Sequence, residues 1–161
     1  MSDKVLSIYK IGREEVHMTQ DYAAEMLGVS PRQLARYENL EVIPSCEMVA
    51  KMVKLYDAKW LGYTYLKEYN NVGKMILPEV TFQDVGLGTL RFFKDHTDIE
   101  ELKSEMIDIV CDGIIDEHEQ EDWENIHKKE IRELVAAGLS LLLLKEDGNK
   151  KSLSAATEKA S

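Results

Sequence analysis

The sequence predicts an all-α protein: a small five-helix domain over residues 1–78, then a long helical hairpin over 79–145. Three observations carry this. Apolar residues recur at three- and four-residue spacing in segment after segment. The stretch Thr19–Asn39 reads as two short helices around a tight turn. Charge divides the chain as well: residues 1–78 hold 10 Lys plus Arg against 10 Asp plus Glu, whereas 79–161 hold 10 against 20, so the net charge of −10 sits in the second half.

Residues 5–17 form the first expected helix, with Val5, Leu6, Ile8, Tyr9, Ile11 and Val16 as its apolar positions and Lys10 and Arg13 on its outer, solvated face. Thr19 is a good N-cap for the second, and Tyr22, Ala23, Met26 and Leu27 make one buried face. That helix ends at Leu27, because Gly28 suits the left-handed stop conformation and Val29 can fold back onto the apolar face. Ser30 then caps a third helix and Pro31 takes its first position, where a missing N–H costs nothing. Leu34 and Tyr37 point inward, leaving Arg32, Gln33 and Arg36 outward.

A helix, a short turn with Gly and a second helix is the layout whose second helix lies in the DNA major groove. Arg can bond guanine O6 and N7 with two donors, and Gln can bond adenine N6 and N7. Thr19-Gln20, Leu27-Gly28-Val29-Ser30, Leu34, Arg36-Tyr37-Glu38-Asn39 and Pro44 resemble the Xre, or lambda-repressor-like and Cro-like, helix-turn-helix family. The resemblance implies a DNA-facing set of Thr19, Gln20, Ser30, Pro31, Arg32, Gln33, Arg36 and Asn39. Gln20 and Ser30 touch phosphates in this reading, Arg32, Gln33 and Arg36 read bases, and Leu34 and Tyr37 are core. Members usually carry Gly after the Asn and often a basic residue beyond it; Leu40 and Glu41 stand there instead.

A fourth helix enters at Pro44-Ser45 and runs from Cys46 to about Tyr56, with Met48, Val49, Met52, Val53 and Tyr56 on one face. A fifth, from about Trp60 to Glu68, packs Trp60, Leu61, Tyr65 and Leu66. Asn70-Asn71-Val72-Gly73 ends it, and Met75–Val80 is expected to be an extended linker around Pro78. In the second half, Phe82–Val110 keeps a helical period through Val85, Leu87, Leu90, Phe93, Ile99, Leu102, Met106, Ile109 and Val110. It is one helix or two, since Thr97-Asp98-Ile99-Glu100 also fits a capping box. A last helix, about Glu117–Lys145, has Asp116 as N-cap, Glu119 three positions on, and Trp123, Ile126, Ile131, Leu134, Val135, Leu141 and Leu142 on its apolar face. The hairpin turns at Asp112-Gly113. Residues 146–161 are small, polar and aperiodic, and a disordered tail is expected there.

Other chemistries find little footing. Asp108–Glu119 has the outline of a calcium loop, but Val110 stands at its third position and supplies no side-chain oxygen. His118-Glu119-Gln120-Glu121-Asp122 has Asp where a zinc protease needs its second His. No phosphate loop, nucleophile elbow or cofactor motif occurs, so no catalytic residue, metal or cofactor is expected. Cys46 and Cys111 are isolated, the start carries no leader pattern and no apolar run spans a membrane, which together fit a cytoplasmic protein.

Two functions of different classes fit. One is a sequence-specific DNA-binding regulator of the repressor type that phages and mobile elements encode, a homodimer joined through its hairpin on an inverted-repeat operator. The other is an acidic helical module that binds a basic partner or mimics nucleic acid.

Overall fold

A computed structural model describes residues 7–144. The residues before Ser7, where the first helix was expected to begin, and the expected tail lie outside that range. Among the described residues every regular element is helical, as the apolar spacing requires. The chain divides into two compact units between Leu77 and Pro78. No helix among the described residues is long and apolar enough to cross a membrane.

The first unit contains α1 (Ile8–Glu15), α2 (Gln20–Leu27), α3 (Pro31–Glu38), α4 (Cys46–Tyr56), α5 (Lys59–Tyr69) and α6 (Asn71–Ile76). The first four start alike. Ser7, Thr19, Ser30 and Ser45 each accept a bond from the backbone N–H three residues on, occupying one donor that the helix leaves unpaired. They also stop alike. His17, Gly28, Leu40 and Asp57 have φ of 55°, 72°, 57° and 49°. The N–H of the next residue then bonds back five positions, to the carbonyl of Arg13, Ala24, Arg36 or Val53. This is the left-handed closure for which glycine is usual, and only Gly28 is one.

Tyr9, Ala23, Ala24, Leu27, Leu34, Val49, Met52, Tyr56, Trp60 and Leu61 form the core. Tyr22 and Met26, expected inside, are 50 % and 55 % exposed; Ala24 takes the inward place beside Ala23 and Leu27. Tyr37 and Tyr65 are half-buried and Leu66 is exposed. The expected linker is also revised. Asn70 closes α5, as expected, and also caps α6, accepting bonds from Val72 N–H and Gly73 N–H. Chain without helix runs from Leu77 to Asp84 instead, with extended backbone at both ends.

Tyr56 is fully buried, and its hydroxyl has no hydrogen-bond partner among the described residues. Burial first, then the nearby Glu38 carboxylate, pushes its pKa up to about 12, against the opposing pull of Arg13. A neutral phenol that must lose its proton in the core stabilises the fold fully below pH about 10, and this contribution disappears as pH rises toward the folded value. Urea titrations at pH 8 and pH 11 should show a smaller alkaline loss in Tyr56→Phe than in the parent. At pH 8 the variant should lie within about 1 kcal/mol of the parent, since no hydrogen bond is removed. An unchanged alkaline loss would assign the effect to another group.

The second unit is a hairpin. Its first limb is α7 (Val85–Glu101) and α8 (Lys103–Val110), with the break at Leu102. The Thr97 capping box does not form: Thr97 lies inside α7 and its hydroxyl donates to the Phe93 carbonyl. Asp84 caps α7 through bonds from Gly86 N–H and Leu87 N–H. The second limb is α9 (Gln120–Asn125), a wide π turn over Ile126–Ile131, and α10 (Arg132–Leu142). The expected helix start at Glu117 moves to Gln120. Asp116 and Glu119 still form a reciprocal box: Asp116 Oδ1 accepts from Glu119 N–H and Glu119 Oε2 from Asp116 N–H.

The limbs run antiparallel, with Gly88 beside Leu141 and Phe92 beside Gly138. A methyl group on Gly88 would meet Leu141 Cδ2 at 2.9 Å, so the helices touch here because the side chain is missing. The buried residues of α7 and α10 are small or polar, Gly88, Asp95, Ala136, Ala137 and Ser140, whereas Ile109 in α8 and Ile126 at the π turn are buried as expected. Val85, Leu87, Leu90, Phe93, Val110, Val135 and Leu142, expected in the seam, are exposed. In the loop, Asp112 accepts from Ile114 N–H, and Asp116 from His118 N–H and Glu119 N–H.

Candidate nucleic-acid interface

The outer face of α3 is built by its first turn. Ser30 Oγ accepts from Gln33 N–H at 3.1 Å, and Pro31 opens the helix. Ser30, Pro31, Arg32, Arg36 and Asn39 are exposed and Gln33 is half-buried. Ser30, Arg32, Gln33, Arg36 and Asn39 line one shallow open concavity, together with Ala35 and Glu41. Arg36 Nη1 donates to Gln33 Oε1 at 3.5 Å, and its Nε lies 3.8 Å from Glu41 Oε2. Thr19, exposed, accepts from Tyr22 N–H at the start of α2.

Behind this face lies a buried ion pair that periodicity placed elsewhere. Arg13, expected on the outer face of the first helix, is 7 % exposed and Glu38 is 6 % exposed. Arg13 Nε donates to Glu38 Oε1 at 2.6 Å and Nη2 to Oε2 at 2.9 Å, a two-pronged pairing. Arg13 Nη1 also donates to the Met18 carbonyl at 2.7 Å. The bond to Glu38 outweighs burial and raises the guanidinium pKa, so Arg13 keeps its charge.

Gln20, the expected phosphate contact, donates from Nε2 to Glu38 Oε2 at 2.9 Å. One carboxylate thus joins α1, the start of α2 and the end of α3. An amide NH2 has two donors, and Glu38 takes one. The pair had a signal in the sequence: Arg13 stands four residues after Tyr9, and Glu38 four after Leu34, both on inward faces.

A helix-turn-helix family model matches residues 10–60, a span from α1 into α5. No curated protein and no solved structure matches the chain. The match supports the Xre-like resemblance: residues 10–60 carry a helix-turn-helix domain, which points to a DNA-binding regulator.

Proposed function

We propose that the protein is a sequence-specific repressor that reads the major groove with α3 as a homodimer on an inverted repeat. The observation that carries this reading is the shared concavity of Arg32, Gln33 and Arg36 on a Ser-capped, Pro-initiated helix. Two guanidinium groups and one amide match the donors and acceptors of guanine and adenine edges. Thr19, Gln20 and Ser30 sit at the helix starts, where hydroxyl and amide donors meet phosphates, and Asn39 closes the same face. With equal numbers of basic and acidic residues, the head has little sequence-independent attraction for DNA, so one copy alone binds weakly. Two copies tethered through the hairpin gain avidity without new contacts.

The test is an electrophoretic shift with DNA from upstream of the protein's own gene. Arg32→Ala or Arg36→Ala should each lose about 1–3 kcal/mol of specific binding with an unchanged melting temperature. Equal binding by the parent and by Arg32→Ala, Gln33→Ala and Arg36→Ala would refute the assignment. Failure of the parent to shift any DNA, with capture of a basic protein instead, would favour an acidic interaction module.

A further inference from the structure

The end of α3 carries a feature that base reading alone does not use. In the left-handed closure at Leu40, the residue after the bend is set against the residue three positions before the helix end, commonly as an apolar pair. Here those positions hold Glu41 and Arg36. Glu41 N–H bonds the Arg36 carbonyl at 2.9 Å, and Leu40 N–H the Tyr37 carbonyl at 3.0 Å. The backbone therefore delivers the Glu41 carboxylate to the guanidinium, with Oε2 3.8 Å from Nε. Gln33 holds Nη1 from the other side. Arg36 is left with an end-on pair, one N–H from each terminal nitrogen, which is the fork that fits guanine O6 and N7.

We propose that Glu41 is a specificity-determining positioning residue: it holds Arg36 end-on toward a guanine and, by its own negative charge, repels DNA that lacks one. This rests on the reading of α3 given above. In free protein both side chains are about half exposed, and water screens the pair. Against DNA the water is displaced and the attraction strengthens, fixing the guanidinium where it reads a base. The same carboxylate opposes the phosphates on every sequence. Glu41 thus lowers affinity everywhere and restores it only where Arg36 meets its base.

The experiment uses the full chain and a duplex enriched by the parent from a randomised DNA pool, beside a scrambled duplex. The guanine read by Arg36 is the position whose substitution stops mattering in Arg36→Ala. Glu41→Gln should bind the scrambled duplex about 3- to 10-fold tighter at low salt. The penalty for replacing that guanine should shrink by about 10-fold, with penalties at other positions kept. A Glu41→Gln variant that discriminates at that guanine as the parent does overturns the proposal, as does one that loses discrimination at all positions equally. A parent that enriches no sequence defeats the DNA-reading function itself; a parent that enriches one while Arg36→Ala keeps every preference defeats only the role of Arg36 and Glu41. Melting curves of the Gln variant should overlay the parent's, since the side chain is exposed.

Discussion

Replacing Glu38 with alanine is expected to destabilise the first unit by about 3–5 kcal/mol, because it leaves the Arg13 guanidinium buried without its counter-charge. Both side chains are almost fully enclosed, at 9 % and 3 % relative exposure, so solvent cannot take over. A domain stabilised by about 5–15 kcal/mol loses a large share of its margin, and a urea titration followed by circular dichroism should show the midpoint collapse. Exchanging both partners together, Arg13→Met with Glu38→Leu, should cost far less, since no charge is stranded. A loss below about 1 kcal/mol in Glu38→Ala, within the range of an ordinary surface pair, would show that the pair does not hold the three helices together.

The second large effect concerns assembly. Leu87, Leu90 and Phe93 follow one another at three-residue spacing on α7 and are 55 %, 69 % and 61 % exposed, while Val135 and Leu142, one heptad apart on α10, are 47 % and 70 % exposed. Apolar faces of this kind mark contact sites on soluble proteins, and two hairpins meeting about a two-fold axis would form a four-helix bundle. On the homodimer proposed above, Leu90→Asp with Phe93→Asp should give a monomer in light scattering and weaken binding to the proposed operator by about 10²- to 10⁴-fold, the avidity that tethering supplies. Helical content should stay at the parent's level, since neither side chain is core. A double variant that remains dimeric would place the contact between copies elsewhere.

Much of the head was legible because its boundaries are written in local chemistry. Thr19, Ser30 and Ser45 mark helix starts and Gly28 marks a stop, each through a bond to a neighbouring N–H or carbonyl. The stops at His17, Leu40 and Asp57 left no such trace: they use the same backbone bend without the residue that advertises it. The sixth helix was hidden because Asn70 both closes α5 and caps α6, and only the first role is expected from the sequence. The hairpin seam was misread for a packing reason. Bulky residues are expected inward throughout, and Ile109 and Ile126 are; but where Gly88 meets Leu141 a side chain would collide, and Val85, Leu87, Leu90, Phe93, Val135 and Leu142 are exposed. In the candidate site, the outward set on α3 could be read from helical spacing; the Arg13–Glu38 pair shares the inward spacing of Tyr9 and Leu34, but that signal is masked because charge is ordinarily a sign of solvent.

The division of labour on α3 has a consequence for how such a protein can change what it recognises. Leu34 and Glu38, four residues apart, tie the helix to its frame, whereas Arg32, Gln33 and Arg36 have no core role. New side chains at the outward positions alter the surface offered to solvent without touching the enclosed carboxylate that sets the angles between α1, α2 and α3. On the reading of α3 proposed above, recognition and architecture drift independently within eight residues, and exchanging the outward side chains would re-address one scaffold to new sequences.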